Sequence, residues 1–500
     1  MTHQIPHFIN GKSLEAKSPH YKEVTNPATG QIIAKVHFAD QNICDTAILT
    51  AKKAGLIWSQ TPLMKRARVL FKFRELIEKN QLEIAKLVTR EHGKTLDDAK
   101  GSVARAIELV EHHCGIVQQL QGTLSTEVAT AIDCYTIRQP LGVCFGVSPF
   151  NFPVMVPMWM IIPAIACGNS FILKPSEQNP SATVRLFELL TEAGLPDGVA
   201  NCVQGDKNTV DYFLKHPDIQ ACVAVASTPV AEYIYQTAVN HGKRSHTFGG
   251  AKNHCVVMPD ADLQLAAEAI AAAAYGSAGE RCMAISVVVA IGDNTADALM
   301  DTLRPLVESI RVGAGDQDNI DMGPLISHAA RQRVVAAIDA GVEEGATLIL
   351  DGRSYHNQQY PSGFFLQPSL LDHVTEKMSV YTNEIFGPVL CVMRVKNLDE
   401  AINLINKHPY GNGTAIFTAD GYAARHFSQS VQVGMVGINI PIPVPVASHP
   451  FGGWKRSVFG DTPMHGLESI HFYTRSKSVT SKWPEKAVDS KLSFAMPTHL

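Results

Sequence analysis

Apolar and polar residues alternate with different periods along the chain. From Leu63 to Arg90 apolar positions recur at helical spacing with Lys, Arg and Glu between them, which predicts an amphipathic helical region. From Leu141 the pattern changes: LGVCFGVS (141–148), SFILKPS (170–176), VANCVQG (199–205) and ACVAVAS (221–227) are short apolar runs that read as strands. Helical stretches lie between and after them, from Pro153 to about Cys167, Ala182 to about Gly194, Asn208 to Lys215, and Val230 to about His241. Such alternation implies parallel βαβ units in a doubly wound sheet, with a ligand beyond the carboxyl ends of the strands. Lys174, Pro175 and Ser176 fall at one such end, and Ser227 and Thr228 at another.

A second α/β block begins near Ala251. It holds an Ala-rich helix (262–274), helices near 296–310 and 327–344, and strand candidates at 285–291, 388–396 and 434–440. The stretch FYTRSKSVTSKW (472–483) alternates β-formers with cations, which suits both a solvated edge strand and pairing with another subunit's edge. Between Arg138 and Lys174 no residue is charged, a length that by itself suggests a membrane span. It is broken by Gly142, Gly146, Pro149, Pro153, Pro157, Pro163 and Gly168, so it reads as several short buried pieces.

Composition narrows the class. At 500 residues, with 45% hydrophobic and 18% charged residues, the chain is globular and long enough for two or three domains. A net charge of −4 provides no broad basic field, so neither nucleic acid nor a membrane surface is expected as a partner. Ten cysteines stand singly from Cys44 to Cys391 without a CxxC pair, so no metal site, dithiol motif or disulfide framework is expected. The amino end, MTHQIPHFINGKS, lacks a basic segment followed by an apolar one, and a reducing, cytoplasmic location is expected.

Four segments carry candidate chemistry. In SAGERCMAIS (277–286), Cys282 lies among small residues beside Arg281, a cation that favours the thiolate where apolar burial opposes it. In VSPFNFPVMVP (147–157), Asn151 sits at a strand-to-helix turn fenced by aromatics and prolines, a rigid place for an oxyanion donor. In ILKPSE (172–177), Lys174 and Glu177 stand three residues apart at a strand end, where they suit ribose hydroxyls and repel a 2′-phosphate. In NEIFGPV (383–389), Glu384 and Phe386 lead into a strand. Each motif alone also fits a packing cysteine, a turn or a surface ion pair.

Taken in order, these segments resemble the aldehyde dehydrogenase superfamily from about Phe8 to Trp483. LGVCFGVSPFNFP, NSFILKPSE, GAKNH, GERCMA, EIFGPVL, PYGNGTAIFT and the terminal YTRSKSVTSKW carry the likeness. Within the superfamily the chain is most similar to the CoA-acylating branch that oxidises methylmalonate and malonate semialdehydes. The resemblance implies a Rossmann-like NAD-binding domain (1–122 and 141–250), an α/β catalytic domain (251–450), and oligomerisation strands (123–140 and 470–485) that build a homotetramer. It implies Cys282 as nucleophile and Asn151 as oxyanion donor. Lys174, Glu177, Ser227, Glu384, Phe386 and Phe150 then bind NAD, Arg105 and Arg281 hold the substrate carboxylate, and coenzyme A is the cosubstrate.

Two departures bear on the reaction. GxGxxG is absent, and ASTPVA (226–231) stands where many members have GSTEVG, so the methyl of Ala226 is expected to crowd a phosphate. In TFGGAKN (247–253), Phe248 occupies the place of the glutamate that activates water in hydrolytic relatives. A phenyl ring accepts no proton, which points to a thiol as the acyl acceptor. The alternative is a hydrolytic NAD-dependent aldehyde dehydrogenase for another aldehyde, with Glu280 as a substitute base.

Overall fold

The computed structural model describes residues 3–483. Five parallel strands form the middle of an eight-stranded sheet, in the order Arg244–Phe248, Ile219–Val225, Val143–Val147, Ser170–Lys174, Ala200–Cys202. Val458–Phe459 closes one edge in antiparallel fashion; His7–Ile9 and Lys12–Leu14 close the other. Among the five parallel strands the chain starts at Val143–Val147, runs outward to Ala200–Cys202, then returns to the opposite side at Ile219–Val225. The reversal therefore lies between Val143–Val147 and Ile219–Val225, where the loops leaving the two strands diverge and open a crevice.

The uncharged run is the centre of this unit. Val143–Val147 and Ser170–Lys174 are buried on both faces, which is why they read as continuous apolar runs. Helix Met155–Ala166 is buried along its whole length and ends where Arg66 donates to the Ala166 carbonyl at 3.0 Å. A cation on those last carbonyls also complements the helix dipole. Among the described residues, no helix is long and apolar enough to cross a membrane.

The amphipathic region 63–90 is two helices, Leu63–Lys79 and Gln81–His92. Asn80 divides them: its side-chain amide donates to the Leu76 carbonyl at 2.7 Å and its backbone leaves the helical region. Gly93, at φ 95°, ends the second helix in the left-handed conformation that glycine adopts without strain.

A second sheet has seven strands, with Val389–Val395, Ile285–Ile291, Asn253–Val257 and Gly413–Phe417 parallel at its centre. The cationic tail forms strand Thr474–Lys482, antiparallel to Ile132–Pro140, which in turn pairs with Leu124–Ala129. Residues 470–472, expected in that strand, end the helix Gly466–Phe472 instead, because Ile470, Phe472 and Tyr473 turn into the core. Positions 484–485 of the expected strand lie outside the described residues. Among those residues the outer edge of Thr474–Lys482 is unpaired.

Candidate active site

The crevice at the strand reversal continues into a cavity of about 560 Å³. Phe150, Asn151, Lys174, Glu177, Ser227, Cys282, Glu384 and Phe386, scattered over more than two hundred positions, all line it. Gly249, Gly250 and Arg333 line it too.

Cys282 is presented by an unusual turn. Ser277, Ala278 and Gly279 have φ of 55°, 52° and 71°, three left-handed residues in succession. For the two non-glycine residues that costs roughly 1–2 kcal/mol each, so tertiary contacts must hold the turn. Two amides do so at the nucleophile itself: Asn253 and Asn412 donate to the Cys282 carbonyl at 2.8 and 2.9 Å. Asn151, 4% exposed, donates to the Glu280 carbonyl at 3.0 Å. An amide nitrogen carries two hydrogens, so one remains for the cavity.

The thiol does not match the expectation drawn from Arg281. Burial, and then the Glu384 carboxylate, push the Cys282 thiol up to about 12, and the neighbouring amides and Arg281 offset this only in part. Arg281 is engaged elsewhere, donating to Asp98 at 2.7 Å. Burial alone raises the Asp98 carboxyl, but Lys94 and Arg281 outweigh it and hold the group well below the usual carboxylate range. The resting cysteine is therefore a thiol, and its proton must leave as it attacks. Arg105 lies outside the 560 Å³ cavity. It pairs with Glu108 at 2.5 Å and donates to the Pro445 carbonyl at 2.5 Å, beside a second, small cavity.

The donor set suits a dinucleotide. Helix Thr228–Asn240 starts at Ser227 without a side-chain cap, so its first amides are left for a diphosphate. Lys174 and Glu177, 2.7 Å apart, and Glu384 offer polar groups to ribose hydroxyls. Phe150 and Phe386 meet edge to face with centroids 5.9 Å apart, a pair of walls for a flat ring. A methyl added at Gly250 would come 2.5 Å from Glu384 Oε2, so the glycine keeps this floor open. Of the two alanines in ASTPVA only Ala226 lines the cavity; Ala231 is buried.

Sequence reasoning missed Asp98, Asn253, Asn412 and the Gly249–Gly250 pair. The glycines carried a readable signal, two together at a strand end. The others act across 29 to 183 positions of chain and left none.

Compared with known proteins, residues 14–479 match the model of the aldehyde dehydrogenase family. The chain belongs to the aldehyde dehydrogenase family. It is 52% identical over 494 residues to the malonate-semialdehyde dehydrogenase of Pseudomonas aeruginosa, covering 99% of both chains. It is 44% identical to the human mitochondrial methylmalonate-semialdehyde/malonate-semialdehyde dehydrogenase [acylating], covering 98% of this chain and 92% of that one. A Sinorhizobium meliloti protein assigned as a methylmalonate-semialdehyde dehydrogenase, solved in complex with NAD, superposes with a TM-score of 0.96. That pair is 51% identical and covers 97% of this chain and 99% of the other.

In this aldehyde dehydrogenase Phe248 ends a strand with its ring 4% exposed. It packs on His246, Phe451 and Trp159 at centroid distances of 4.6, 5.8 and 6.0 Å. Glu280, the other candidate base, is fully buried with Oε1 on the Ile326 amide and Oε2 3.8 Å from His92, away from the cavity lining. Burial pushes its carboxyl up to about 8 from 4.5. Between those values the folded chain keeps a proton that the unfolded chain has lost, so stability falls as pH rises through the window and levels off above it. Glu280→Gln preserves the neutral shape. Thermal melts at pH 4.5 and 8, the ends of that window, are expected to show a smaller fall in Tm for the variant than for the parent.

Proposed function

We propose that the chain oxidises malonate or methylmalonate semialdehyde with NAD, loses the β-carboxylate, and passes the remaining acyl group to coenzyme A. One observation carries the reading. Cys282 and Asn151 share a cavity with an uncapped helix end, and the residue in place of the water-activating glutamate is a buried phenylalanine.

The sulfur of Cys282 attacks the aldehyde carbon and its proton leaves. The free hydrogen of Asn151 and the Cys282 amide stabilise the oxyanion that forms. NAD, when bound, accepts the hydride. The carbon left on sulfur is then a thioester, whose carbonyl takes up the electrons of the breaking carbon–carboxylate bond as an enolate while carbon dioxide departs; the enolate carbon then takes a proton to give the acyl thioester. The same two donors serve that second oxyanion. Lys174, Glu177, Ser227 and Glu384 bind the dinucleotide, with Phe150 and Phe386 flanking the nicotinamide. Arg105 and Arg281 hold the substrate carboxylate, each exchanging a bond it makes in the resting chain for one to substrate. Without an acid at position 248, water is a poor acceptor and the thiolate of coenzyme A takes the acyl group.

The same proposal assigns 1–122 and 141–250 to NAD binding, 251–450 to catalysis, and the sheet containing Thr474–Lys482 to assembly of a homotetramer in the cytoplasm. The unpaired outer edge of that sheet supports the assembly role.

The test is to supply malonate semialdehyde and NAD with and without coenzyme A, quantifying NADH, acyl-CoA, free acid and carbon dioxide together. Sustained NADH release only with coenzyme A, matched by acetyl-CoA, is the expected result. Full-rate NADH with free carboxylate as the main product would replace this reading with the hydrolytic one.

A further inference from the structure

The small cavity beside Arg105 holds a feature that the mechanism leaves unused. Arg105, Glu108, Trp159, Val444, Ala447 and His465 are among its walls, and it is too narrow to admit a water molecule. His465 is 3% exposed, and neither ring nitrogen has a hydrogen-bond partner. Its backbone is left-handed at φ 74°, so the chain accepts strain to place this ring here. Burial favours the neutral imidazole, which carries one N–H donor and one acceptor, both idle in the resting chain. Buried polar atoms without partners are costly and call for an explanation.

Two contacts show what the cavity is shaped around. The segment 444–447 covers it, held by the Pro445 carbonyl accepting from Arg105 at 2.5 Å and the Ala447 amide donating to Glu108 at 2.9 Å. A carbonyl oxygen on an arginine fork occupies the place a carboxylate oxygen would take. An aromatic chain links the cavity to the residue in place of the water-activating glutamate. The His465 ring is 5.1 Å from Trp159, whose ring is 6.0 Å from Phe248.

We propose that His465 joins the two arginines as a third carboxylate-binding residue: as segment 444–447 withdraws, one substrate oxygen replaces Pro445 O on Arg105 and the other accepts the His465 N–H. This rests on the proposed role of Arg105 and adds a specificity determinant to it. A neutral donor strengthens the grip on the carboxylate without adding a further fixed charge to those of the arginines, so the group is held yet still free to depart as neutral carbon dioxide.

The experiment measures kcat/KM for malonate semialdehyde relative to propanal, which lacks the carboxylate, with NAD and coenzyme A present. His465→Phe is expected to lower that ratio at least about tenfold, the effect of losing a hydrogen bond to a charged group. His465→Asn and His465→Gln place an amide nitrogen near Nδ1 and Nε2 respectively, and one of the two is expected to keep the ratio within about threefold of the parent. An unchanged ratio in His465→Phe, equal losses on both aldehydes, or equal loss of the ratio in all three variants would overturn the assignment. Arg105→Leu separates the two levels. If it lowers the ratio while His465→Phe does not, the Arg105 reading stands and His465 falls; if neither lowers it, the carboxylate subsite itself is wrong.

Discussion

Cys282→Ala is expected to abolish turnover and to leave no acyl group on the protein after quenching. The chemistry depends on a covalent bond that no neighbouring atom supplies: among the residues lining the 560 Å³ cavity, Cys282 is the single thiol. The other nine cysteines include eight that are buried and one, Cys134, in the strand Ile132–Pro140 of the three-stranded sheet. Mass spectrometry of parent enzyme, quenched with semialdehyde and NAD but without coenzyme A, should show one acyl adduct on the Cys282 peptide. The variant should show none while still binding NAD in a thermal-shift titration. An adduct on another cysteine, or turnover surviving in the variant, would refute the mechanism. Because burial pushes the thiol up to about 12, adduct formation in the parent should quicken as pH rises over the neutral and alkaline range.

Asn151→Ala is the second large effect. Loss of one oxyanion donor typically costs about 2.7–4 kcal/mol of activation free energy, roughly a hundred- to a thousandfold in kcat. The loss should fall on kcat rather than on KM, since the donor meets a charge that exists only as the carbonyl becomes tetrahedral. Asn151 also donates to the Glu280 carbonyl at 3.0 Å, so the variant removes a support of the turn that carries the nucleophile. Asn151→Asp removes both contacts while keeping the side chain's shape. An Asp has no N–H in its ionised form and therefore loses both contacts, so activity near that of the parent would rule out the donor role. Steady-state rates together with the amplitude of the acylation burst provide the measurement.

Much of the molecule was readable because local pattern and tertiary position agree. The runs at 143–147, 171–173 and 221–224 are buried on both sides of one sheet, and a strand in that setting is continuously apolar. The Ala-rich helix predicted over 262–274 is Leu263–Tyr275, started by Asp262 accepting from the Leu265 amide. Where pattern erred, a polar side chain or a buried aromatic group decided the boundary. Asn80 splits one predicted helical region in two, and Phe472 with Tyr473 draws the start of the tail into the core.

The sequence by itself determined the order of strands and helices, the family, and the identity of eight of the side chains that meet in the cavity. Those follow from residue type and spacing along the chain. Only the tertiary structure decided the state in which those side chains stand. Arg281 adjoins the nucleophile in sequence but spends its fork on Asp98, 183 positions away. Cys282 is a protonated thiol because desolvation exceeds the pull of that cation, and Glu280 is sealed off from the cavity beside His92. Charge state and hydrogen-bond partner depend on distance and dielectric in three dimensions, and neither has a signature in linear spacing.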